Sequence, residues 1–215
     1  MNVLKDNYSE SAVNRGIVVI IDIIFLGILW LLCCLPVITI GPASCAFYHA
    51  MVKCVRHGRG HVGASFFKAL KDNFKTSFIL WLMFLLLIGL WIADMYAMNL
   101  LDPEGTKLMS GISAYLIIPV LIPLPWVFAY ISRFENSTWD TLKFSVFLSI
   151  KNLARTVMLL LLAAAFIILG WIFPALIPLL PGFCCLLMSF QIEPVFKNIT
   201  KELESDSNED KWYNE

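Results

Sequence analysis

Two carboxylates stand inside otherwise apolar runs. Asp22 interrupts the run from Ile17 to Leu35, and Asp94 the run from Ser77 to Ala97. An ionised carboxylate at the centre of a hydrocarbon layer costs about 2.5–3.5 kcal/mol on insertion scales, and less near the ends. Asp22 lies roughly 8 Å into its run at a rise of about 1.5 Å per residue, and Asp94 lies close to the end of its own. Two chemistries fit. Facing one water-filled vestibule, the pair would bind a cation, a proton or a sugar hydroxyl along a transport path. As structural groups, Asp22 would pair with Arg15 on the same helical side, and Asp94 would reach interfacial water unaided. A second set of charges marks the ends of later apolar runs. Arg133 and Glu135 flank Phe134, and Glu193 precedes Pro194. Charges at such exits pair across helices, anchor at the interface or grip a cytoplasmic partner.

Other polar groupings carry weaker signals. Arg56-His-Gly-Arg-Gly-His61 has the residue types of a metal or phosphate site, but it reads more simply as a solvated, glycine-bearing turn. The six cysteines are Cys33, Cys34, Cys45, Cys54, Cys184 and Cys185. They have no zinc-like spacing and read as small apolar packing residues. No serine-hydrolase elbow, phosphate loop or His-Glu-x-x-His motif occurs. The chain is therefore expected not to be an enzyme, and to need no cofactor and no metal. The Glu-Ala-Ala-type loop of ATP-driven importer permeases is also missing.

The elements that would position these charges follow from composition. Of the 215 residues, 59% are hydrophobic and 15% charged, with a mean hydropathy of +0.77. A soluble domain is nearer half apolar and a quarter charged, so a second apolar solvent is required. Crossing about 30 Å of hydrocarbon takes roughly 20 helical residues. Five runs qualify, at about 17–35, 77–97, 111–132, 156–173 and 175–192. The expected fold is an all-α polytopic transmembrane bundle with five spans, forming one membrane domain over residues 1–200. Pro119, Pro123 and Pro125 must bend the third span, and Pro174, Pro178 and Pro181 divide the last tract into a hairpin. Residues 201–215 form an acidic tail with little apolar content, expected to be disordered and cytoplasmic.

Formal charge is zero, and nothing in it points to nucleic acid. The distribution is informative, because all but Lys5, Arg15 and Lys107 of the 16 Lys and Arg fall on alternate inter-span segments. The positive-inside rule then places the N-terminus outside and the C-terminus in the cytoplasm of a multi-pass cell-membrane protein.

The inter-span segments carry amphipathic patterns. Pro36, Gly41 and Pro42 end the first span, and Phe47, Ala50, Met51, Cys54 and Val55 then recur at helical spacing. This predicts a cytoplasmic interfacial helix whose Lys53 and Arg56 face lipid headgroups. A second such helix carries Phe67, Leu70 and Phe74 opposite Lys68, Lys71 and Lys75. A third begins at the cap-like Ser137-Thr-Trp-Asp140 and places Leu142, Val146, Ile150 and Leu153 on one side. Asp72-Asn-Phe-Lys-Thr-Ser77 and Lys151-Asn-Leu-Ala-Arg-Thr156 both hand such a helix to a span. This is the pattern of a parallel internal repeat.

Trp30-Leu-Leu-Cys-Cys-Leu-Pro-Val-Ile-Thr-Ile-Gly-Pro-Ala43 with Phe47-Tyr48 resembles the signature of the YesL-type family of bacterial membrane proteins. The likeness continues at Ser65–Lys75, Arg133-Phe-Glu135, Lys151–Thr156 and Pro194-Val-Phe-Lys197. It departs at Gly27, where the family pattern leads one to expect Asn. The resemblance implies a small plasma-membrane protein that accompanies sugar-uptake and polysaccharide-use systems, with no biochemical activity to transfer to residues. Lipids, a sugar-importer subunit or a second copy of the chain are the expected partners.

Overall fold

The computed structural model describes residues 2–101, 119–134 and 137–203, and among them there is helix and no strand. The elements are α1 (Asn2–Cys34), α2 (Ile40–Ala50), α3 (Val62–Asp72), α4 (Phe74–Leu101), α5 (Leu124–Ile131), α6 (Thr138–Lys151), α7 (Leu153–Ile172) and α8 (Leu180–Leu203). Short 3₁₀ turns occupy Val37–Thr39 and Pro174–Leu176, and a π-helical turn, Met51–Arg56, continues α2.

Among the described residues, three helices are long and apolar enough to cross a membrane: Gly16–Cys34, Phe74–Ala97 and Leu153–Ile172. They correspond to the first, second and fourth expected spans. The expected third span lies partly outside the described residues. Its described part is the shorter apolar stretch Pro119–Ile131, broken at Pro123 before α5 begins. The expected fifth span falls on the turn at Pro174–Leu176 and on α8, where Gln191, Glu193 and Lys197 interrupt the apolar pattern. The acidic tail lies outside the described residues apart from the end of α8.

Residues 43–56 do not lie along the outside of the protein with one apolar face, as their periodicity suggested. They form the centre of the molecule. Ala43, Cys45, Ala46, Phe47, Tyr48, Ala50, Met51 and Val52 are all buried. The reason lies in residue size. Gly41, Ala43, Cys45, Ala46 and Ala50 are small on every side of the helix, so α1, α3, α4 and α5 all pack against it. Pro36 breaks α1, and the Thr39 hydroxyl caps the break, its oxygen 2.5 Å from the Cys33 carbonyl oxygen and 2.7 Å from that of Pro36. The chain then folds back, so that Trp30 of α1 donates to Ser44 Oγ at 3.2 Å and meets the Phe47 ring.

The suspected repeat has a matching structural device. Between α3 and α4, Asn73 Nδ2 donates to the Ala69 carbonyl at 3.3 Å, and Ser77 Oγ donates to the Asn73 carbonyl at 2.6 Å. Between α6 and α7, Asn152 Nδ2 donates to the Leu148 carbonyl at 3.1 Å, and Thr156 Oγ1 donates to the Asn152 carbonyl at 3.1 Å. Both hydroxyls are buried. Each hinge also receives the broken helix that precedes it in the chain. Gly41 lies against Ser77 and Trp81, and Trp126 Nε1 donates to Thr156 Oγ1 at 3.0 Å.

Two glycines are fixed by close approach. A Cβ on Gly41 would meet the Trp81 side chain and lie 2.9 Å from the Ser77 carbonyl oxygen, and one on Gly27 would overlap the Pro178 carbonyl. The departure from Asn at position 27 therefore coincides with a contact that leaves no room for any side chain. Gly89 has nothing nearby. Gly27→Ala and Gly41→Ala should each cost about 1–3 kcal/mol, and Gly89→Ala should not destabilise. Melting temperatures of the three variants in one detergent check the ordering.

Candidate functional site

The chain places its interior charges where α2, α5 and α8 meet. Leu124-Pro-Trp-Val-Phe-Ala-Tyr-Ile131 is apolar throughout, and Pro123 and Pro125 start the helix without needing backbone donors. Arg133 follows directly. Its Nη2 pairs with Glu193 Oε2, and both side chains are 1% exposed. The other carboxylate oxygen, Oε1, accepts from the Tyr48 hydroxyl at 3.1 Å. Trp126, Tyr130 and Phe134 surround Phe196, with ring centroids 5.7–6.3 Å apart. The Arg133 guanidinium carbon lies 5.9 Å from the Phe196 centroid. An ion pair so enclosed needs both partners, because either charge alone would stay desolvated.

Polar contacts extend from this pair along the π-helical turn. His57 N–H donates to the Val52 carbonyl at 3.1 Å, the long step that widens the turn. Arg56 Nη1 donates to the Ser189 carbonyl at 2.8 Å and lies over the Phe190 ring, 4.7 Å from the centroid. About two turns before Arg56, His49 Nδ1 lies 3.1 Å from the Ser132 carbonyl, so this nitrogen carries the proton of the hydrogen bond. The polar face of the 43–56 segment thus points at α5 and α8. The Arg56–His61 turn needs glycine at two places, since Gly58 and Gly60 adopt φ of 66° and 80°.

Burial shifts the groups along this turn. It lowers the His49 pKa, with the charges of Lys53 and Arg133 pushing the same way and the Ser132 carbonyl opposing. Burial also lowers His57, with Glu193 opposing and Arg56 and Arg133 assisting. Tyr48 is raised well above the ordinary phenol range, by burial first and the Glu193 charge second, so it remains a donor.

The remaining sequence candidates are placed separately. Asp22 is half-buried on α1. It lies close enough to the π-helical turn that its charge adds to burial in raising the Cys54 pKa. Asp94 is exposed on α4, ten residues beyond the buried Phe84. The two carboxylates thus sit in different surroundings, one against the central helix and one on an open surface. Arg133 and Glu193 come together inside the molecule and offer no exposed surface of their own. Glu135 lies outside the described residues. Pro36 lies in the break between α1 and α2, and Gly41 and Pro42 lie in the first turn of α2. Tyr48, His49 and Arg56 were not predicted as site residues. Their signal is the polar face of a helix whose other faces are made of small residues. Among the described residues, no three His, Cys, Asp or Glu side chains cluster to hold a metal.

Residues 23–95 match the model of a family described as a protein of unknown function, DUF624. The matched stretch contains α2 and the first hinge, and ends before α5 and α8. No curated protein and no solved structure matches the chain.

The lowered histidines fix the sign of a pH effect. A histidine whose folded pKa lies below its unfolded value near 6.5 leaves stability intact above that value. As pH falls through it, the unfolded chain takes up protons that the folded chain does not, and stability is lost. The melting temperature in detergent should drop between about pH 7.5 and 5.5. The drop should shrink in His49→Gln and His57→Gln.

Proposed function

We propose that the chain is a non-enzymatic multi-pass membrane protein that works by docking, as an accessory to carbohydrate uptake or its regulation. The basic bias of alternate segments supports a cytoplasmic C-terminus and an external N-terminus in the cell membrane. The observation that carries the docking role is the outer face of α3. Lys68, Lys71 and Asp72 are exposed there, and Lys75 is exposed in the first turn of α4, whereas the other face of α3, Val62, Ser65, Phe66 and Ala69, is buried. The interior charges, in contrast, are occupied with one another. The carbohydrate connection comes from the likeness to YesL-type proteins.

Copurification of a sugar-importer subunit with the tagged chain in mild detergent tests this reading. The triple change Lys68→Glu, Lys71→Glu and Lys75→Glu should lose the subunit without lowering the melting temperature. Unchanged sugar uptake in a deletion strain, with no subunit recovered, would count against it. A carrier or channel is the second reading, favoured by the half-buried carboxylate of Asp22 against the central helix. It requires flux in proteoliposomes that stops in a still-folded Asp22→Asn variant.

A further inference from the structure

α3 and α6 occupy equivalent places before the two asparagine hinges, yet they present opposite chemistry. α3 buries Val62, Phe66 and Ala69 and exposes Lys68 and Lys71, with Phe67 as the large apolar residue at its surface. α6 does the reverse. It buries Thr141, Ser145 and Ser149 to 0% exposure, with Leu148 beside them, and exposes Trp139 at 69%, Phe147 at 57% and Ile150 at 65%. Phe144 and Val146 are also exposed. In water this helix would be inside out. Small hydroxyl residues towards the bundle and bulky apolar residues outwards are the pattern of a helix packed on its neighbours and bathed in lipid. At about 21 Å for Thr138–Lys151, α6 is too short to cross. It does run through Asn152 directly into the candidate span α7, so its exposed apolar face continues a surface that already requires hydrocarbon.

The charges on that face identify the lipid. Lys143 is exposed between Trp139 and Phe147, and Lys151 holds its ammonium 5.8 Å from the Phe147 ring centroid. Both side chains are exposed and long enough for their ammonium groups to reach a headgroup layer. Asp140, at the opposite end of the helix from the hinge, is the acid on the same exposed side. A tryptophan with two lysines at the entry to a span is the composition of an interfacial anchor over anionic headgroups. The geometry points to α6 as a lipid-embedded helix that buries Phe147 and Ile150 among acyl chains and holds anionic phospholipid phosphates with Lys143 and Lys151. This inference is independent of any protein partner on α3.

A benzophenone amino acid placed singly at positions 147, 150 and 71 tests it, in vesicles of equal phosphatidylglycerol and phosphatidylcholine. Irradiation should give lipid adducts at 147 and 150 and none at 71 on α3. Phosphatidylglycerol should be enriched several-fold among the adducts, and Lys143→Gln with Lys151→Gln should bring the two lipids to parity. Cross-links from 147 or 150 to a second copy of the chain would overturn the proposal. So would an absence of lipid adducts at these positions, or lipid parity in the unsubstituted protein.

Discussion

The Arg133–Glu193 pair is the constraint on which the arrangement depends. It joins the end of α5 to the middle of α8, and the Tyr48 hydroxyl brings α2 into the same contact. A charge pair taken fully out of solvent is weak as a source of net stability, since desolvation consumes much of the attraction. Its value lies in exclusivity. Any packing that separates α5 from α8 leaves a bare charge among Trp126, Tyr130 and Phe196. The apolar contacts around it could slide, but the ion pair fixes one register.

Around this fixed point the chain uses one local device twice. An asparagine ends an amphipathic helix, and a buried hydroxyl four residues later approaches the asparagine carbonyl as a donor, at Asn73–Ser77 and Asn152–Thr156. A proline-broken short helix docks on each hinge, α2 on the first and α5 on the second. The duplicated framework then diverges at its surfaces. The first copy turns lysines outwards on α3, and the second turns aromatics outwards on α6. One scaffold therefore presents a lysine-bearing face and an aromatic-bearing face.

Much of this was legible in the sequence. The all-helical class followed from apolar runs too long for a soluble core, and the hinge repeat from the parallel between 72–77 and 151–156. The end of the first helix before Pro36 is legible from that proline, while Gly41 and Pro42 lie inside the helix that follows. The burial of that helix was not legible, because a period of Phe47, Ala50, Met51 and Cys54 looks the same whether one face is buried or all are. Only the small size of Gly41, Ala43, Cys45 and Ala46 distinguishes the cases. The pairing of Arg133 with Glu193 links residues 60 positions apart, and no local spacing encodes it. The stripe Leu142, Val146, Ile150 and Leu153 was visible, but periodicity does not say whether an apolar stripe faces protein or lipid. The hydroxyl residues opposite it carry that information.

The most direct measurement of the central claim is a double-mutant cycle on Arg133 and Glu193, read as thermal stability in one detergent. Arg133→Met and Glu193→Leu should each destabilise by about 3–5 kcal/mol, because each strands a buried charge. The double variant should recover most of that loss, giving a large coupling energy. Additive losses with no coupling would contradict the account, as would single variants that melt like the parent protein.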